Sequence, residues 1–190
     1  TTSIIATAGI GGLAISFGAQ SLVKDIITGF FILFEDQFSV GEYVKIGDFE
    51  GIVEEMGIRV TKIRDFTGEL HIIPNGNISL VTNKSRGPMS SYVDIRIAYE
   101  EDVDRAIKAI QEVCDRIRKT NDSILEGPSV LGITDLGDSG INIKITAKTK
   151  PMDQWALERQ IRKEVKKVFD RENIQIAYPK FIIQDTNLRG

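Results

Sequence analysis

The stretch TTSIIATAGIGGLAISFGAQSLVKDIITGFFILF, residues 1–34, decides how the rest of this chain is read. Residues 1–23 carry no charged side chain, and Lys24 and Asp25 are the first. A helical run of that length reaches about 34 Å, enough to cross a bilayer core of about 30 Å. Its composition is unusual for a helix facing lipid: Ser3, Ala6, Ala8, Gly9, Gly11, Gly12, Ala14, Ser16, Gly18, Ala19 and Ser21 fill much of it. Small residues let membrane helices approach closely, so this helix is expected to pack against copies of itself. Leu13 and Phe17 are large exceptions four positions apart, and they project from one face in successive turns. Spacing alone leaves them two roles, lining an axial passage or packing against neighbouring helices. Ile26–Phe34 is apolar again but too short to span. A helix bent near Gln20–Asp25, its second part lying along the membrane or on a soluble domain, fits this pattern.

The chain opens without Met inside an apolar run and has no basic segment ahead of it, so it reads as part of a longer protein and not as a secretory signal. All 24 basic and 27 acidic residues follow Val23, the net charge is −3 and the pI is about 5.3. That balance gives no electrostatic reason to expect nucleic acid as a partner. One cysteine, Cys114, and one histidine, His71, rule out an internal disulfide and argue against a Cys/His metal site; no metal or cofactor is expected. Cys114 falls in a helical pattern beside Val113 and Ile117 and reads as a small buried hydrophobe.

Residues 35–91 read as small-barrel material. Tyr43–Ile46, Gly51–Met56, Val60–Phe66 and Leu70–Ile73 are separated by turn signals at Gly41, Gly47-Asp48, Gly57, Thr67-Gly68 and Pro74-Asn75-Gly76. Residues 92–179 change rhythm. Val93, Ile95 and Ile97 alternate with polar positions. Val103 to Ile117 has helical period, Val130–Leu136 and Asn142–Thr149 are strands, and Leu157 to Phe169 is a second helix with Asp153 as its expected N-cap. With Ile174–Ala177 as a last strand, the order is β-α-β-β-α-β, a ferredoxin-like split motif. Residues 180–190 hold one further short strand, Phe181–Gln184.

Three motifs invite competing readings. Gly9-Ile10-Gly11-Gly12-Leu13-Ala14 imitates a dinucleotide-binding fingerprint, but no alternating β-α units follow it. Pro74-Asn75-Gly76 is a turn by its chemistry. Arg159, Arg162, Lys163, Lys166, Lys167 and Arg171 interleave with Glu158, Glu164 and Asp170, the pattern of a solvated helix face. No phosphate loop, metal helix or nucleophile elbow is present in the sequence, and no catalytic residue is assigned.

The segment AGIGGLAISFGAQSLVKDIITGFFILFEDQFSVGEYVKIG, residues 8–47, resembles the pore helix and following β domain of the small-conductance mechanosensitive channel (MscS) family. Gly51-Ile52-Val53-Glu54, Arg59–Thr61, Ile73-Pro74-Asn75-Gly76 and Asn83-Lys84-Ser85 continue the resemblance in the same order. It implies an α+β protein: a kinked pore-lining transmembrane helix over residues 1–34, an Sm-like β barrel, a ferredoxin-like α/β domain and a C-terminal strand of a seven-stranded oligomeric barrel. It further implies a homoheptamer in the cell membrane, multi-pass in the full-length protein, cytoplasmic after about residue 35, that passes ions and small solutes during hypoosmotic shock.

Leu13 and Phe17 match the two constriction rings of the family. Ala6, Ile10 and Ala14 would pack against Gly9, Gly12 and Ser16 of the neighbour, and the bend matches Gln20 and Ser21. Departures are Ser21 for a common Gly, Gln37 for a usual Pro, and Ile10 for a usual Ala. The two preceding membrane helices, which the family uses to sense tension, are not in this sequence. Alternative readings are a membrane-anchored Sm-like RNA-binding module, opposed by the acidic balance, and a dinucleotide-binding enzyme.

Overall fold

The computed structural model describes residues 2–179, apart from the side chains of residues 2–11 and Ala14. The expected strand at Phe181–Gln184 and the tail 180–190 lie outside the described residues. The chain divides into two compact units, Thr1–Arg86 and Gly87–Gly190.

The first unit joins one long helix to one sheet. Helix α1 runs Thr2–Phe34 without interruption, about 50 Å at helical rise. It stays helical through Gln20–Asp25. Five strands follow: β1 (Tyr43–Ile46), β2 (Phe49–Met56), β3 (Val60–Arg64), β4 (Leu70–Pro74) and β5 (Val81–Asn83). They form one antiparallel sheet in the order β4-β3-β2-β1-β5, so the chain meanders outward and β5 returns beside β1. A bulge between Val53 and Glu55 breaks the β2–β3 register. The hairpin register puts Val44 and Ile46 on one face with Lys45 on the other. Val44, Ile46, Val53, Ile63 and Ile73 form the core with Phe38, and Ile32 of α1 inserts among them. Strand β5 was not anticipated from the sequence. It is three residues long, and its pairing with β1 decides its state, not its own alternation.

The second unit packs two helices on a three-stranded sheet. Strands β6 (Met89–Ile97), β7 (Ile124–Gly137) and β8 (Gly140–Thr149) are antiparallel neighbours in the order β6-β8-β7. Helices α2 (Val103–Thr120) and α3 (Gln154–Glu172) cover the inward-facing rows Val93/Ile95/Ile97 and Ile141/Ile143/Ile145. The expected last strand is reduced to a single antiparallel bridge, Ile97 to Ile176, on the free side of β6. That is where the fourth strand of a split β-α-β motif belongs. Gly140 is required here: a Cβ would collide with the Ile97 carbonyl and the Ala177 side chain.

Two helix starts contrast. Asp102 caps α2 by accepting a hydrogen bond from the Arg105 N–H at 3.1 Å. Asp153 precedes α3, but it has helical backbone angles and no side-chain cap bond, so the expected N-cap role is corrected. A cap residue needs extended φ/ψ to swing its oxygen over the first turn, and Asp153 lacks them. Cys114 is fully buried, and burial pushes its thiol up to about 12, in line with a packing role. Arg162, Lys166, Lys167 and Arg171 of α3 pair at its surface with Glu158, Asp170, Glu164 and Glu172, as the mixed-sign pattern suggested.

Candidate functional site

The candidate site is α1 and the surface that holds it. The continuous helix Thr2–Phe34 overturns the dinucleotide-binding reading, because Ile4–Ala6 is helix and Gly9–Ala14 lies in a helix interior. The fingerprint needs a strand and a tight turn to bring backbone N–H groups to a pyrophosphate, and a helix interior has spent those N–H groups on its own ladder.

Leu13 and Phe17 both project into open space, 61% and 74% exposed. Gly12, Ser16, Gln20 and Ser21 are exposed as well, and a Cβ at Gly12 or Gly18 would meet nothing within 4 Å. The packing positions Ala6, Gly9, Ile10 and Ala14 have side chains outside the described ones. Ile15–Phe34 has a mean hydropathy of 1.4 over 20 residues, long and apolar enough to cross a membrane by length and composition. Much of its apolar surface, Leu13, Ile15, Phe17, Leu22, Val23 and Ile27 among it, stays exposed in the single chain.

The second half of α1 is anchored. Asp25 is 6% exposed, and its Oδ1 accepts a hydrogen bond from the Gly76 N–H at 2.9 Å. Its Oδ2 receives the Arg59 Nε–H at 3.4 Å. Gly76 belongs to the 3₁₀ turn Asn75–Asn77. Asn75, also buried, braces this turn: its Oδ1 accepts from Thr61 Oγ1 at 2.8 Å, and its Nδ2 donates to the Gly57 carbonyl at 3.0 Å. One turn along α1, Gly29 lies so close to Asn75 and the Ile58 carbonyl that a Cβ there would overlap both. Asp25, Gly29 and Ile32 are spaced i, i+4, i+7 and so make one docking face.

Pro74-Asn75-Gly76 is therefore more than a local turn. Sequence reasoning took Lys24-Asp25 as an interruption and missed this face. The available signal was an acid placed in phase with a glycine and a large apolar residue.

A second fastening sits just past the helix. Arg86 donates from Nε to Glu42 Oε1 at 2.8 Å and from its terminal nitrogens to the carbonyl and carboxylate of Asp36. Asp36 has a left-handed φ of 48° and ends the helical segment. The Arg86 guanidinium holds both the Asp36 and Glu42 carboxyls below their ordinary range.

Among the described residues one group has metal-binding spacing: Asp65, Glu69 and His71 bring ligand atoms within 4.8 Å of one another. Asp65 Oδ1 there accepts bonds from Thr67 and Glu69 N–H and from the Thr67 hydroxyl, the pattern of a closed hairpin turn.

The family model described as "Mechanosensitive ion channel, beta-domain" matches residues 21–86. That described as "Mechanosensitive ion channel MscS, C-terminal" matches residues 92–176. The chain is 57% identical over 179 residues to a small-conductance mechanosensitive channel of Caldanaerobacter subterraneus subsp. tengcongensis, covering 94% of this chain and 64% of that one. It is 31% identical to YfkC, an uncharacterized MscS family protein of Bacillus subtilis, covering 96% of this chain and 70% of the relative. Among solved structures, closed-state MscS of Helicobacter pylori superposes with a TM-score of 0.87 at 26% identity, over 98% of this chain and 74% of the other. This chain spans about two thirds of the length of the Caldanaerobacter relative. With an α+β fold, an exposed apolar helix clamped to a β sheet and these matches along nearly its whole length, the chain belongs to the MscS family of mechanosensitive ion channels.

Proposed function

We propose that this chain is the pore helix and cytoplasmic part of a small-conductance mechanosensitive channel, a homoheptamer in the cell membrane that is not an enzyme. The observation that carries the reading is the two-part character of α1. Leu13 and Phe17 stand exposed on one face, while Asp25, Gly29 and Ile32 fasten the same helix to a folded sheet. In the assembled channel, rings of Leu13 and Phe17 make a narrow apolar constriction, and Gly12, Ser16 and the small residues before them let neighbouring helices close around it. Ions do not shed their water cheaply in such a constriction, so a dry gap blocks conduction without a sterically sealed pore. Tension favours the state of larger in-plane area, in which the helices tilt and the rings separate. Residues after about 35 form the cytoplasmic part, through which ions and small solutes leave during hypoosmotic shock.

The test is a patch recording of the full-length protein in liposomes under graded suction. Currents of uniform small conductance that rise with tension are expected; their absence at every tension up to membrane rupture would overturn the reading.

A further inference from the structure

The hairpin of β3 and β4 carries ionisable groups on its core-facing side. Ile63 stands opposite His71 and Thr61 opposite Ile73, and the Asp65 N–H donates to the Glu69 carbonyl beyond them. Strand alternation therefore puts Asp65, Glu69 and His71 on the side where Ile63 and Ile73 are core. Lys62 and Arg64 fall on the opposite side and are taken by Glu55 and Glu54. Among the described residues no lysine or arginine forms a salt bridge with Asp65 or Glu69. With His71 neutral, the group carries two negative charges.

The side chains converge at the spacing of metal ligands. Asp65 Oδ2 and His71 Nε2 are 3.7 Å apart, too far for a hydrogen bond. Two ligands each about 2.1 Å from a tetrahedral ion stand about 3.4 Å from one another. Glu69 supplies a third oxygen, all three atoms lying within 4.8 Å of one another, and its exposed side chain is free to close the remaining distance. The other two groups are held in place. The Thr67 hydroxyl and the N–H groups of Thr67 and Glu69 bond to Oδ1; they orient the Asp65 carboxyl and keep it below its ordinary range, hence ionised. The Phe49 ring packs against the imidazole with centroids 4.5 Å apart, and His71 is half-buried.

We propose that Asp65, Glu69 and His71 bind one divalent transition-metal ion of the zinc class, with water completing its coordination. One imidazole and two carboxylates suit such an ion, whereas magnesium and calcium take oxygen ligands and leave an imidazole out. Counting one cysteine and one histidine argued against a Cys/His site; here two carboxylates supply the other ligands. The ion clips the end of the hairpin. Strand β4 runs straight on into the Asn75–Asn77 turn that receives Asp25, so the clip stiffens the strand behind the docking face of α1.

The experiment is calorimetric titration of the full-length protein with zinc chloride, in detergent, without a polyhistidine tag and after stripping with a chelator. A site of one zinc per chain is expected that millimolar magnesium does not displace. His71→Gln should abolish this site, and Glu69→Gln should weaken it by more than about tenfold, since even residues behind a metal ligand are worth about 10–100-fold. Zinc should raise the unfolding midpoint of the wild type and leave that of His71→Gln where it was. Cobalt in place of zinc should give the wild type a visible absorption band that His71→Gln lacks. No zinc uptake by the wild type at about 0.1 mM would overturn the site. So would uptake of equal stoichiometry and affinity in the wild type and both variants. The channel reading does not depend on either result, because patch recording tests it separately.

Discussion

The Asp25 carboxylate and the Gly76 backbone N–H meet at 2.9 Å across 51 positions of sequence, joining the helix to the sheet through one buried charge-assisted bond. Bonds to a charged group contribute about 1.5–3 kcal/mol, and leaving such a partner buried without its bond costs about as much. Asp25→Ala should therefore loosen the docked half of α1 and change how the channel opens and closes under sustained tension. Asp25→Asn keeps the shape and one acceptor oxygen and should sit between the two. Identical time courses under a held suction step for all three proteins would remove Asp25 from the coupling.

Gly29 tests the same face by shape alone. A Cβ there overlaps the Ile58 carbonyl and the Asn75 side chain, and backbone cannot move aside as cheaply as a flexible side chain. Gly29→Ala should destabilise the protein by about 1–3 kcal/mol, the usual cost of overpacking. Thermal unfolding of the detergent-solubilised protein checks it, and an unchanged midpoint would mean that α1 does not lie this close to the turn.

On the proposed reading, Leu13→Ser replaces an apolar ring with hydroxyls. Water should enter the constriction more readily, and the tension threshold should fall. Thresholds equal to or above those of the wild type, measured against a co-reconstituted reference channel, would count against Leu13 as a constriction residue.

The Arg86 fastening carries a pH signature. Asp36 and Glu42 have ordinary values of 3.8 and 4.5, and Arg86 lowers both in the folded chain. Groups depressed on folding stabilise above their unfolded values and lose that contribution as pH falls through the folded ones. The unfolding midpoint of Arg86→Ala should thus lie below that of the wild type at pH 7. The gap should close as pH drops below the ordinary carboxylate range. Arg86 and Asp36 are solvent-exposed and Glu42 is only half-buried, so the effect is small. A gap that stays constant down to pH 3 would show that Arg86 acts by packing instead.

Cys114 should be inert. With its thiol buried and pushed up to about 12, an aromatic disulfide reagent should react with it only as the second unit unfolds. Rapid stoichiometric labelling of the native protein at pH 8 would contradict that burial.

Periodicity carried most of this fold. The alternation of Ile141, Ile143 and Ile145 and the helical recurrence of Val103 to Ile117 each reach the buried face they imply. What escaped were features decided by partners far away in sequence. Strand β5 exists because β1 pairs with it, and β7 begins six residues before the apolar run that marked it, because β8 extends the ladder. At the candidate site, the exposed face with Leu13 and Phe17 was visible in the spacing. The docking face was not. Asp25 next to Lys24 looks like any polar break until Gly76 arrives from 51 residues away to occupy its oxygen.

The unbroken run of α1 from Thr2 to Phe34 gives the molecule a mechanical ratio. Leu13 lies twelve positions from Asp25, about 18 Å along the axis, and Phe17 eight positions, about 12 Å. A tilt of about 10° about the Asp25 fulcrum therefore swings Leu13 by about 3 Å and Phe17 by about 2 Å. The stroke at each position is fixed by its distance from the pivot. On the proposed channel reading, such a lever moves Leu13 further than Phe17, so the inner ring would set the last resistance to flow.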